Sequence, residues 1–394
     1  MEIVLISPVC PFDPRDGHRL AVLSDVHALL DNRIDLGLIA FTYQGESDSM
    51  PNLCPTVKIQ ARKGGFAARF SRSLWKNLPP TAERLYSAQA RATLRSALRE
   101  WNPRIVIVDD ASVSGYISDI RQVLPNVKVV LRSHNAMHDV RTEQLNRAQG
   151  AAKAAIAFDR RKYIELERSA LLASDRHWAI TSSDAERMHE LYHCPGQCLT
   201  VSVPFERYQT LQSDQGQSNG FAHVGSLDFR RRDDLSQFLD RSWPRILEAD
   251  QMASLTLAGE MKGNPIPARN VSYAGRVASD ADVYSRARFA LNFQSSPGGV
   301  KLKTLTSLAA GRTLLSTREG VQGIDIKSGS EFFDIDRFLQ RTDLQSVLSD
   351  VRATQSVADA GRQYVATHHS RQAVARQVLN LIEGVWNSED LPRT

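Results

Sequence analysis

Cysteine is scarce in this chain: Cys10, Cys54, Cys194 and Cys198 are the four in 394 residues. So few, so scattered, exclude a disulfide-stapled scaffold and point to a reducing cytoplasm. No apolar run approaches the roughly 18–20 residues of a membrane span. The opening Met1-Glu2-Ile3-Val4-Leu5-Ile6-Ser7 lacks the basic start of a signal peptide and reads as a first buried strand. Short repeats and low-complexity tracts are missing as well.

What is present is an alternation of apolar and amphipathic segments. With 42% hydrophobic residues the chain can bury two ordinary cores. Strand-like stretches fall at Ile3–Ser7, Leu36–Phe41, Ile105–Val108, Val127–Arg132, His177–Thr181 and Leu199–Val203. Helical stretches lie between them, at Arg19–Leu30, Thr81–Trp101, Ser114–Val123, about Val140–Leu172 and Ser183–Tyr192. A second series has strands at Phe221–Val224, Leu255–Ala258, Val271–Tyr273, Phe289–Phe293 and Thr313–Ser316. Its helices are about Asp234–Glu248, Ala281–Arg286, Val300–Ala310 and Ile335–Asp350, and Gln372–Asn387 is a last amphipathic one. Buried strands separated by helices mean an α/β class with mostly parallel, doubly wound sheets. The expected layout is a first Rossmann-like domain over 1–208, a polar linker over 209–220 and a second such domain over 221–371. The segment 372–394 is expected to pack back on the first. Two such lobes leave a cleft at the carboxyl ends of their strands, where ligands bind.

Net charge is only +5, but it is unevenly spread. From Lys58 to Arg104 eleven Lys and Arg face Glu83 and Glu100 alone. Phe66, Phe70, Leu74 and Trp75 interleave with the first cations at helical spacing. Lys58–Lys76 therefore suggests an anionic membrane surface or ligand, against the plainer alternative of arginine stems covering apolar surface. No recognition motif accompanies the charge, so nucleic acid is not an expected partner.

The densest signal is Ser295-Ser296-Pro297-Gly298-Gly299-Val300-Lys301-Leu302-Lys303, which runs on to Gly311. An apolar strand stops at a Ser/Pro/Gly turn and a helix opens with two lysines near its first turn. Helix-terminal N–H groups, flexible glycines and cations suit a phosphate-bearing ligand.

Five segments together resemble the GT-B glycosyltransferases, family 4 in particular. They are Pro11 to Gly17-His18-Arg19, Leu131-Arg132-Ser133-His134-Asn135, Ala179 to Ala185, His223-Val224-Gly225-Ser226-Leu227 with Arg230-Arg231-Arg232, and Gly298 through Gly323. The resemblance implies two Rossmann-like domains facing a central cleft. It implies a retaining, metal-independent hexosyl transfer from a nucleotide-diphosphate sugar, a co-substrate rather than a cofactor. The acceptor would be lipid-linked, as in bacterial polysaccharide or glycoconjugate assembly, or a small soluble molecule, with the protein cytoplasmic and peripheral at the inner membrane face. By the same resemblance His134 contacts the transferred sugar, while Lys303 and Arg230 meet charge growing on the leaving diphosphate. Gly17, Gly225, Ser226, Arg231, Gly298, Gly299, Val300, Lys301 and Thr306 would line the donor site.

One departure stands out. Where the family usually carries two glutamates in this signature, the chain has Gly298 and Thr306. A threonine hydroxyl offers one bond to a ribose where a carboxylate offers a charge-assisted pair. A non-catalytic homologue partnering another transferase, or an epimerase, is therefore kept as an alternative. Asp109 and Asp110 end a strand but are as readily helix caps, so they stay outside the catalytic set. His189-Glu190-Leu191-Tyr192-His193 matches the H-E-x-x-H zinc pattern. Its third ligand position holds Leu199, and Pro195 ends the helix at once, so zinc chemistry ranks last.

Overall fold

The computed structural model describes residues 1–14, 16–46, 50–211, 219–227, 229–295 and 300–387. It divides into two compact units, residues 1–201 with the stretch from Val374 onward, and Ser202–Ala373.

The first unit is built on a parallel sheet of seven strands. These are β1 (Ile3–Ser7), β2 (Leu36–Thr42), β3 (Thr56–Gln60), β4 (Ile105–Asp109), β5 (Lys128–Ser133), β6 (Arg176–Ala179) and β7 (Gln197–Cys198). Their order across the sheet is β3-β2-β1-β4-β5-β6-β7. β1 and β4 are buried throughout, which is why they read as unbroken apolar runs rather than alternating ones. The chain's last helix, Arg371–Trp386, turns Val374, Val378, Leu381, Ile382 and Val385 into the core that holds Ile3, Leu5, Leu38 and Ile107.

The second unit repeats the plan with β8 (Gly220–Val224), β9 (Ser254–Ala258), β10 (Val271–Gly275), β11 (Phe289–Asn292), β12 (Thr313–Ser316) and β13 (Phe333–Asp334), ordered β10-β9-β8-β11-β12-β13. All its pairings are parallel, and Phe221, Trp243, Leu255 and Phe289 anchor its core.

Several elements differ from the sequence reading. β3 is an edge strand with a weak alternating pattern, and the sequence reading missed it. Leu199–Val203 is not a strand. β7 lies just before it, Val201 and Val203 are buried, and the Val203 N–H donates to the His369 carbonyl at 3.0 Å. The long helix expected near Val140–Leu172 is two helices, Met137–Arg147 and Gly150–Ala173, broken where Gly150 takes φ +56°. Ile335–Asp350 likewise splits, and an unforeseen 18-residue helix, Val351–His368, follows it with Asp350 as its cap. The helix expected at Val300–Ala310 starts at Leu302 and runs to Ala309. The second unit also takes in residues 202–208, which the sequence reading gave to the first, and 209–211, which it gave to the linker. Tyr208 explains this: it is fully buried there, its hydroxyl 2.5 Å from Asp280 and its carbonyl accepting from Arg362. Most of the expected linker, 212–218, lies outside the described residues.

Candidate functional site

In a doubly wound sheet the strand order reverses once, and the carboxyl ends of the two strands at that point splay open. Here the reversals fall between β1 and β4 and between β8 and β11. Each of them carries a cluster of polar side chains.

At the first, Asp109 ends β4 with no exposed surface. Its Oδ1 lies 2.5 Å from His134 Nε2, and its Oδ2 lies 3.2 Å from His18 Nε2. Ser7, the last residue of β1, donates its hydroxyl to Oδ2 at 2.9 Å. The imidazoles meet at 4.5 Å between ring centroids. Burial opposes ionisation of Asp109, yet His134 and His18 hold its carboxyl well below the usual range. Burial likewise works against a proton on His18, but the Asp109 bond prevails and its pKa rises. An ionised carboxylate only accepts, so both facing Nε2 atoms carry protons. On His134, which is 6% exposed, Nδ1 is buried without a partner. The ligand atoms of His18, Asp109 and His134 lie within 4.8 Å of one another, a set that could hold a metal ion.

The frame around this cluster is tied down. Arg132, fully buried on β5, reaches Asp25 at 2.8 Å through Nε. Asp184 accepts from the backbone N–H of Ala136 beyond His134. Glu167, also buried, accepts from the N–H groups of Met137 and His138 at the start of the Met137–Arg147 helix. Burial pushes its carboxyl up to about 7 against these donors and Tyr192. Asp110 takes φ +77° and caps the following turn by accepting from Ser112 N–H at 2.7 Å. The two neighbouring acids thus do different work: Asp110 is a cap and Asp109 the centre of the cluster. Gly17 opens the Gly17–Asp31 helix, capped by Asp16, and so places His18 one residue into it.

At the second reversal, His223 of β8 is buried, stacked 4.4 Å from Phe293, with Nδ1 2.9 Å from the carbonyl of Leu291. Its Nε2 has no partner. A β-carbon added to Gly225 would sit 3.6 Å from that Nε2 and 3.6 Å from Lys303 Cδ, so all three surround one small space. Gly225 takes φ +154°, and Gly259 packs so tightly that a β-carbon there would fall 2.2 Å from the Gly225 carbonyl oxygen. Lys301 is the N-cap of the Leu302–Ala309 helix and makes no capping bond with its own side chain. Asn292, ending β11, donates to Thr304 Oγ1 at 2.9 Å and to the Gly320 carbonyl at 3.0 Å, which fixes that helix end on the sheet. Thr306 donates its hydroxyl to the carbonyl of Lys303, and Arg231 reaches back to the carbonyl of Ser226. Gly298, Gly299 and the side chain of Arg230 lie outside the described residues, and Val300 is half-buried.

Burial, then the charge of Lys303, drives the His223 pKa down to about 3. Between its ordinary 6.5 and that value the unfolded chain binds the proton and the folded one does not, so stability falls as pH falls through this window. Relative to His223→Gln, which cannot titrate, the wild type should lose about 1.6 kcal/mol between pH 6.5 and pH 5. Urea denaturation of both proteins at those two pH values checks this; a constant difference between them refutes it.

Structural likeness extends over the whole chain. Sucrose-phosphate synthase from Thermosynechococcus elongatus is similar with a TM-score of 0.69 at 15% identity, covering 99% of this chain and 100% of that one. This is a GT-B glycosyltransferase fold. Other GT-B likenesses include a glycosyltransferase from Rickettsia africae, with a TM-score of 0.67 at 9% identity over 98% of this chain and 99% of that one. Anabaena HepE, in a complex with UDP and glucose, matches with a TM-score of 0.64 at 10% identity over 98% of this chain and all of its own. A family model described as "Glycosyl transferase-like" matches residues 231–380, most of the second unit. No curated protein matches the chain by sequence.

Within the GT-B frame, the first cluster joins His134 to two residues the sequence reading left out of the site, His18 and Asp109. The second joins Gly225 and Lys303 to His223, Asn292 and Thr304, also unassigned. A strand that ends on a polar residue at a switch point was the available signal, shared by Ser7, Asp109 and Asn292. The H-E-x-x-H match does not assemble. Glu190 pairs with Arg187, and His193 leaves the helix at φ +57°.

Proposed function

We propose that this GT-B protein is a retaining, metal-independent hexosyltransferase of the family 4 kind, acting in bacterial polysaccharide or glycoconjugate assembly. The observation that carries the reading is the second cluster. Lys303, Gly225 and the start of the Leu302–Ala309 helix converge at a switch point, where a leaving diphosphate needs a fixed cation and a backbone without a β-carbon. Lys301 and Arg231 add positive charge beside them. Solved structures of the same fold contain UDP and UDP-glucose, which suits a nucleotide-sugar donor. His134 offers Nδ1 to a sugar hydroxyl while Asp109 holds the ring by Nε2. Thermal shift against a panel of nucleotide sugars tests donor binding, because a ligand of the folded form raises its apparent stability. NMR of the product's anomeric configuration then tests retention. An unshifted melt across the panel sinks the donor claim, and an inverted product sinks the mechanism.

A non-catalytic homologue is the second reading, favoured by Thr306, whose hydroxyl is engaged with its own helix where the family has a carboxylate. Detectable hydrolysis or transfer of any nucleotide sugar decides against it.

The acceptor in this proposal is lipid-linked and presented at the cytoplasmic membrane face, although a small soluble acceptor is served by the same donor site. Support comes from the Phe66–Trp75 helix, where Trp75 is 90% exposed and Leu74 and Phe66 are about half exposed beside Lys63 and Arg69. The basic charge is not all available, since Arg62, Arg72 and Lys76 converge on the buried carboxylate of Glu83. A fair test therefore spares those three. Lys63→Glu, Arg69→Glu and Trp75→Ser together should release the protein from vesicles containing anionic lipid. Unchanged co-sedimentation discards the membrane claim.

A further inference from the structure

We propose that His223 and Lys303 form a subsite for a hydroxyl that lies beside a phosphate, so that the second cluster prefers a sugar or nucleoside phosphate to a diphosphate without hydroxyls. The inference rests on the donor-site reading above and adds the chemical group that the site tells apart. It starts from an aromatic layer. Phe238 and Phe293 stack with ring centroids 5.3 Å apart, and His223 stacks next on Phe293 at 4.4 Å. A purely apolar ring would fill this buried place without desolvating any polar atom, whereas the imidazole brings two nitrogens. Nδ1 lies 2.9 Å from the Leu291 carbonyl, which only accepts, so Nδ1 carries the proton. Burial and the charge of Lys303 keep the ring neutral. Nε2 is therefore a lone-pair acceptor, buried and with no hydrogen-bond partner among the described residues. A buried acceptor left that way is costly, and a bound ligand relieves it.

Gly225 sets the space that Nε2 faces. A β-carbon there would stand 3.6 Å from His223 Nε2 and 3.6 Å from Lys303 Cδ. Apart from the glycine's chain neighbours, nothing else among the described residues comes within 4 Å of that point. One group of a ligand can thus meet the imidazole edge while the group beside it meets the lysine. The two side chains select opposite partners. An ammonium only donates, which suits a phosphate oxygen, and this Nε2 only accepts, which suits an O–H. An ionised phosphate oxygen against Nε2 would set two acceptors face to face. The matching ligand therefore brings a hydroxyl to about 2.8 Å from Nε2 and carries its phosphate a few bonds away. In a nucleotide sugar that hydroxyl comes from the transferred sugar or from the ribose.

The test is calorimetric titration of the full chain with UDP-glucose, UDP and methyl diphosphate at about pH 8, where the phosphates are ionised and methyl diphosphate offers no O–H. His223→Asn keeps an N–H near the Leu291 carbonyl and removes the acceptor at Nε2. His223→Gln puts an amide oxygen near the place of Nε2. The Asn variant should bind UDP-glucose at least about fivefold more weakly than the wild type, and the Gln variant should recover most of that loss. Methyl diphosphate should bind wild type and both variants alike, whereas Lys303→Ala should weaken it too. A loss on UDP-glucose alone assigns the hydroxyl to the sugar, and an equal loss on UDP assigns it to the ribose. Affinities that His223→Asn leaves unchanged, or that fall as far for methyl diphosphate as for UDP-glucose, overturn the inference. A wild type that binds methyl diphosphate but neither nucleotide also overturns it, with the phosphate site intact. Binding of none of the three fells the donor-site reading and this inference together. Nitrogen-15 NMR of the wild type decides the matter even where the variants do not fold. The His223 Nε2 resonance should move upfield with UDP-glucose and hold still with methyl diphosphate, and a resonance indifferent to UDP-glucose overturns the subsite.

Discussion

Lys303→Ala should weaken binding of a UDP-sugar, or turnover with it, by about 1.5–3 kcal/mol, roughly ten- to a hundredfold. The argument begins with position. Lys303 is the second residue of the Leu302–Ala309 helix, so its charge adds to the positive end of the helix dipole. Its side chain runs past Gly225, at the place where any other residue would present a β-carbon. An anion seated there meets the ammonium in a partly buried setting, where the interaction is screened far less than at the surface. Lys303→Met keeps the apolar stem and should lose nearly as much, whereas Lys303→Arg should lose less. Calorimetric titration of the three variants with the best donor from the thermal-shift panel measures the effect. Equal affinities for wild type and Lys303→Ala would remove this residue from the site.

Arg132→Leu should cost about 3–5 kcal/mol of folding stability, the price of leaving one member of a buried ion pair alone. Arg132 has no exposed surface and Asp25 is 3% exposed. Burial already pushes the Asp25 carboxyl up, against the pull of the guanidinium at 2.8 Å. Without Arg132, Asp25 must either stay charged in an apolar surrounding or take up a proton. The double variant Asp25→Leu with Arg132→Leu should recover most of the loss, because an apolar replacement of both partners removes the desolvation cost together with the attraction. Urea unfolding of the single and double variants separates the terms. A single-variant loss below 1 kcal/mol would show that the pair bears little on stability. Arg132 lies two residues before His134, so the single variant should also loosen the first cluster.

Some of this was legible from residues alone and some was not. Ile3–Ser7, Leu36–Phe41 and Phe289–Phe293 announce buried parallel strands because burial on both faces removes polar alternation. Thr56–Gln60 does not, since an edge strand faces water and its pattern TVKIQ is short and mixed. The 18-residue helix at Val351–His368 escaped notice because alanine, glycine and polar residues dilute its apolar stripe, and only packing makes that stripe count.

Function divides in the same way. A helix start after a Ser/Pro/Gly turn, with lysines in place, can be read locally, because backbone geometry and residue type suffice. What joins Ser7, His18, Asp109 and His134 is not local: they are spread over more than a hundred positions and meet only because β1, β4 and β5 are neighbours in a parallel sheet. Composition and periodicity thus determined the α/β class and the succession of strands. Strand order across the sheet, which depends on long-range pairing that no local pattern encodes, decided that Asp109 is a charged hub between two imidazoles while its neighbour Asp110 caps a turn and accepts from the Tyr163 hydroxyl.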